Sequence, residues 1–161
     1  MKKFDKKEQL KIFKIILIII WMITIFLFSG QQGAESGDTS RKFTVIIIEL
    51  ITGKSLEARE PFVEEMQLFI RKTAHFTIYT IGGFLIMNYT SSTNKTQKQK
   101  ILHSIYFGGV YAITDEIHQF FVPGRSGNIV DVGLDTLGVI TGVLIYIGLI
   151  KIIDKHKSKV I

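Results

Sequence analysis

Apolar residues in this chain are gathered into long runs rather than spread along one face of each segment. Four runs approach the length of a membrane span, over residues 10–28, 73–89, 101–122 and 132–152. Each is near the ~20 residues an α-helix needs to cross a hydrocarbon core. The third is the least apolar, because Asp115, Glu116, His118 and Gln119 interrupt its last two turns. The pattern predicts an all-α, polytopic membrane protein, one domain over residues 1–161 built as a bundle of four transmembrane helices. The first run follows a lysine-rich start, and with no small-residue cleavage site clearly behind it reads as a retained anchor.

The connectors carry the remaining information. Between the first two runs, SGQQGAESGDTS (Ser29–Ser40) reads as a polar, turn-rich stretch. Lys42–Thr52 then supplies an apolar segment too short to span, which predicts an interfacial or re-entrant piece. Pro61 opens an amphipathic run suited to a first helical turn, and it is expected to continue without a break into the second span. Gly82-Gly83, Gly108-Gly109 and Gly138-x-x-x-Gly142 lie inside three different spans, where small residues let helix backbones approach closely. No internal repeat is visible, which argues against an inverted-repeat transporter.

Charge then orients the chain. The arm to Lys14, the Thr90–Lys100 connector and the tail from Lys151 together hold thirteen of the twenty basic residues and only three acids, Asp5, Glu8 and Asp154. Cytoplasmic segments are enriched in Lys and Arg, so both termini are expected in the cytoplasm of a bacterial cell. The net charge of +6 taken alone points to a nucleic-acid partner, but the lysines flank apolar runs instead of lining a soluble face, so none is expected. Cysteine is absent, which excludes disulfide staples and thiolate metal sites.

In that topology scattered polar residues fall into one layer. Arg71, Lys72 and His75 occupy the outer turns of span two, Asp115 to Gln119 the last turns of span three, and Asp131 and Asp135 the first turns of span four. At ~1.5 Å per residue, His75, His118 and Asp135 all lie within roughly 10 Å of the outer interface. His75 and Tyr79 share a helix face, as do Asp115, His118 and Gln119 with Tyr111 a turn below. Asn128 is placed to cap span four, with Asp131 three residues in. Ionisable groups at membrane depth are expensive unless paired or used, so the layer marks a functional site. A single imidazole at a helix end is ordinarily a hydrogen-bonded core group. His75 and His118 differ in having charged partners at the same depth.

The residues from Phe26 to Gly37 (FLFSGQQGAESG), Arg71 to Phe84 (RKTAHFTIYTIGGF) and Asp115 to Gly138 (DEIHQFFVPGRSGNIVDVGLDTLG) resemble the VanZ-like family of small bacterial membrane proteins. The resemblance covers most of the chain apart from the basic arm, the Arg41–Ile70 insert and the tail. It picks out Ser29, Gln31, Lys72, His75, Tyr79, Asp115, Glu116, His118, Gln119, Pro123, Arg125, Asp131 and Asp135. It implies an integral membrane protein of the bacterial cytoplasmic membrane, in a family one member of which is associated with resistance to the glycopeptide teicoplanin.

Two classes of function fit these residues. In the first, an enzyme acts on a lipid or lipid-linked phosphate, such as a cell-wall precursor, at the outer leaflet by head-group transfer or phosphodiester cleavage. His75 or His118 would serve as base or nucleophile, oriented by Asp115 or Glu116. Ser29, Gln31, Lys72, Tyr79, Gln119 and Arg125 would bind substrate. Asp131 and Asp135 could hold a hard divalent cation (Mg, Ca or Mn), whereas no zinc-like His/Cys spacing exists. In the second class, the same pocket binds a lipid head group, a lipoglycopeptide or a partner protein without turnover. A proton-coupled carrier is a third reading, weakened by the shallow placement of the charges.

Overall fold

The computed structural model describes residues 5–31, 33–52, 60–125 and 127–160. Among them the regular structure is helical throughout: α1 (Lys6–Ser29), α2 (Gly33–Thr52), α3 (Glu60–Thr90), α4 (Gln97–Phe120) and α5 (Ile129–Val160). α3 is the hub. All four other helices pack on it, α5 most extensively, while α4 also packs on α5 and α1.

Local chemistry starts the helices where the sequence allows. Asp5 and Glu8 form a reciprocal capping box at the head of α1, and Thr96 and Gln99 do the same for α4. α3 runs unbroken from Glu60 to Thr90, as the amphipathic run ahead of the second apolar stretch predicts. The stretch expected to turn does not: Gly33 to Ser40 is the first half of α2, and Lys42–Thr52 is its second half rather than a short separate segment. No proline interrupts this sequence, and packing against α3 outweighs a weak local preference.

Which face is buried differs from helix to helix. In α1 a single stripe of Ile18, Trp21, Ile25 and Ser29 turns inward, while Ile16, Ile19, Ile20, Ile23 and Leu27 stay exposed. α4 is inverted relative to a soluble amphipathic helix. Its buried stripe is Ser104, Gly108, Ala112, Asp115, Glu116 and Gln119, and its outer face is Leu102, Phe107, Val110, Ile113, Ile117 and Phe120. An apolar exterior on that scale fits lipid better than water. α1 and the Ile129–Ser158 part of α5 are each long and apolar enough to cross a membrane by length and composition.

Close backbone approach sets the α3–α5 crossing. A Cβ at Gly142 would lie 1.9 Å from the Thr80 carbonyl oxygen, and one at Gly83 would lie 2.1 Å from that of Val139. These glycines are therefore the contact surface itself, in line with the packing role expected of them. Trp21 locks α1 onto the hub: its ring covers Gly82 and its indole N–H donates to the Ile78 carbonyl at 2.8 Å. Tyr111 of α4 donates to the Met22 carbonyl at 2.6 Å from the other side.

Candidate functional site

The helices bring one group of titratable side chains together near the α4–α5 turn. α3 contributes His75 and, one turn on, Tyr79; α4 contributes Asp115, Glu116 and Gln119; α5 contributes Asp131 and Asp135. The chain reverses between α4 and α5 over Pro123 and Gly124, whose φ of 76° favours glycine. Asn128 caps α5 as expected, its side-chain oxygen accepting from the Val130 N–H at 3.0 Å. Glu116 braces this turn by accepting from the Asn128 backbone N–H at 2.7 Å.

The centre is formed by His75, Asp115 and Asp135. One potential ligand atom from each lies within 4.8 Å of the other two. His75 Nδ1 stands 3.7 Å from Asp135 Oδ2, too far for a hydrogen bond. Gln119 holds Asp115 in place, donating from its amide to Asp115 Oδ2 at 3.1 Å and to Glu116 Oε1 at 3.3 Å. Asp135 is fully buried, and neither of its oxygens has a hydrogen-bond partner among the described residues. The buried Tyr79 hydroxyl has no close hydrogen-bond partner among the described residues either, though it stands as a donor towards Asp115 and interacts electrostatically with Asp135.

Several expected partners are engaged elsewhere. His118 turns away from Asp115 and stacks on Phe26 of α1, with ring centroids 4.2 Å apart and planes 18° from parallel. Three residues on from Asp115 is one helical turn less about 60°, enough to aim the imidazole at α1 instead of α3. Asp131 and Asp135, expected to share a cation, are divided. Asp131 pairs with Lys72 at 2.5 Å, and Asp135 lies with His75 and Asp115 instead. Arg125 donates to the carbonyls of Phe28 and Ser29 at 3.1 and 3.3 Å, closing the C-terminus of α1. Burial, with Arg71 beside it, lowers its guanidinium from the ordinary value, while Asp115 and Glu116 act in the opposite sense.

Two cavities meet at this centre. The larger, about 370 Å³, lies between α1, α2 and α3 and is walled by Ile25, Phe28, Phe43, Ile47, Ile70 and Ile78, with Ser29, Gln31, Arg71, His75 and Arg125. The smaller, about 80 Å³, is polar and is bounded by Lys72, Glu116, Gln119, Asp131 and Asp135 together with Arg71, His75 and Arg125. Those last three residues line both. The sequence offers Arg71 as one possible partner for Asp135 in the polar layer; the structure places it on the wall shared by the two cavities. Ser29 and Gln31, drawn from the resemblance, face the apolar cavity rather than the carboxylates.

No curated protein and no solved structure matches the chain. A family model described as VanZ/LLP1 matches residues 13–152, a stretch that includes α1 from Phe13, the hub helix, and both carboxylate-bearing helices. The chain belongs to the VanZ/LLP1 family.

Proposed function

We propose that this protein crosses the bacterial membrane four times through α1, α3, α4 and α5, with both termini cytoplasmic. Its polar cavity then opens towards the outer leaflet and accepts a lipid or lipid-linked phosphate head group. The observation that carries this reading is the shared boundary of the two cavities at Arg71, His75 and Arg125. An acyl or isoprenoid chain would occupy the apolar chamber. The anionic phosphate would meet two guanidinium groups, which match its geometry better than an ammonium does.

Turnover at that phosphate would fall to His75 as base or nucleophile, with Asp135 and Asp115 behind it. Glu116 and His118, the other candidates, are committed to Asn128 and Phe26. In a binding role without turnover the same guanidinium groups would hold the phosphate and His75 would take no chemical part. In either form, a protein that handles outer-leaflet lipid-linked precursors offers a route to altered glycopeptide susceptibility.

The test is direct. Full-length protein in nanodiscs is incubated with radiolabelled anionic phospholipid or undecaprenyl-type lipid phosphate, and both retained ligand and new products are measured. Retention lost in an Arg71→Gln/Arg125→Gln double variant supports the site, and a product lost in His75→Ala makes it an enzyme. Equal retention by wild type and double variant removes the reading. The chain has no cysteine, so single cysteines at Arg125 and Lys95 report topology without background removal. Labelling of Arg125→Cys only from the cytoplasm would refute the orientation.

A further inference from the structure

We infer that His75, Asp115 and Asp135 form a binding site for one divalent first-row transition-metal ion, with the Tyr79 hydroxyl beside it. The sequence pointed to a cation between Asp131 and Asp135; the geometry points elsewhere. Asp131 is neutralised by Lys72, whereas Asp135 has both oxygens buried and unmatched.

Charge is the first argument. Two buried carboxylates, Asp115 and Asp135, face a single imidazole and the neutral amide of Gln119. A protonated His75 would cancel only one of the two negative charges. A neutral His75 and a divalent ion cancel both. Buried carboxylates left ionised and uncompensated cost several kcal/mol, so they either take up a proton or bind a cation, and a divalent ion compensates both at once. Arg125 feels Asp115 and Glu116 at a distance but spends its donors on the α1 carbonyls, and Lys72 is held by Asp131; among the described residues neither makes an ion pair with Asp115 or Asp135.

Geometry is the second. The 3.7 Å between His75 Nδ1 and Asp135 Oδ2 is too long for a hydrogen bond. It is close to the roughly 3.4 Å that separates two ligands of a tetrahedral ion with ~2.1 Å bonds. The Tyr79 hydroxyl is a second observation: a fully buried donor with no close partner among the described residues, it stands beside the same carboxylates, towards Asp115. It could donate to a carboxylate oxygen whose other lone pair faces the ion, fixing that ligand as outer partners do in metal sites.

Ligand chemistry narrows the ion. One imidazole with two carboxylates suits Mn²⁺, Fe²⁺ or Zn²⁺, while Ca²⁺ needs more oxygen ligands than the site offers. His75 and Asp135 also border the polar cavity, so a bound ion would offer an open position to a phosphate oxygen. The site itself uses protein atoms alone and does not depend on the head-group reading.

Mn²⁺ is the probe, added to detergent-purified full-length protein after chelation and in the absence of added lipid. Expected is saturable binding of about one ion per chain, with pulsed EPR showing the ¹⁴N coupling of one directly bound imidazole. Asp135→Asn and His75→Gln should each weaken binding by at least about 10–100-fold, the loss that outer partners alone produce. Asp131→Asn should leave it intact. Wild-type protein that binds no Mn²⁺ or Zn²⁺, binding without nitrogen coupling, or binding lost only in Asp131→Asn each overturns the inference. The wild-type spectrum decides the matter even should a variant fail to fold. Metal binding without lipid retention would leave this site standing and remove the head-group reading.

Discussion

The two ends of the helix bundle treat buried polar groups in opposite ways. At the end where α3 finishes and α4 begins, the polar atoms find partners. The Thr90 and Ser104 hydroxyls stand 2.9 Å apart with the Met87 and Lys100 carbonyls also in reach, so each of the two protons has an acceptor. Lys14 crosses from α1 to donate to the Asn88 carbonyl at 2.9 Å and the Ser92 hydroxyl at 2.7 Å. At the other end Asp135, Tyr79 and His118 keep buried atoms without hydrogen-bond partners among the described residues. Satisfied hydroxyls fasten helices at modest gain, whereas an unmatched buried carboxylate costs stability and marks the place to look for a ligand. The difference separates a fastening from the proposed site within one small bundle.

The largest expected effect lies at Asp135. Asp135→Asn should weaken Mn²⁺ binding by about 100-fold, equal to about 2.8 kcal/mol, read by EPR titration of the detergent-purified protein. In metal-chelated protein the same carboxylate is a burden. The double replacement His75→Leu/Asp135→Leu should leave thermal stability unchanged or raise it by up to about 4 kcal/mol, measured by denaturation in detergent. A marked fall in stability there would show that the pair fastens helices, and the contrast between the two ends would collapse.

The opposite end should respond in the reverse sense. Thr90→Val removes a shared hydroxyl and should cost about 1–2 kcal/mol in stability, with lipid and metal binding unchanged. Loss of binding in that variant would mean the two ends are coupled along α3 and α4. Smallest is Lys72→Gln. Its pair with Asp131 is partly exposed, so stability should change by less than about 1 kcal/mol in a thermal melt, and added salt should blunt the difference further.

Much of this architecture was legible in one dimension. Run lengths predict helices where α1, α3, α4 and α5 stand, and the Gly138-x-x-x-Gly142 spacing predicts an intimate crossing. The polar layer was legible as well, since Asp115, Asp135 and His75 have no ordinary reason to interrupt apolar runs. Two features misled. A glycine- and serine-rich stretch reads as turn, yet Gly33–Ser40 is helix because packing on α3 decides it. His118 reads as Asp115's neighbour on a shared face, yet a helix face is wide enough for the two to meet different partners.

Periodicity and charge bias in the sequence alone determine that the chain is helical and where its apolar exterior and polar interruptions fall, because these depend on neighbours three or four residues apart. Pairing across helices is another matter. That Lys72 takes Asp131, Arg125 closes α1 and Asp135 is left with His75 and Asp115 depends on how α3, α4 and α5 rotate about their axes. Those rotations are set by backbone contact at Gly83 and Gly142 and by the Trp21 lock, contacts between residues far apart in the chain. Only the tertiary structure decided them.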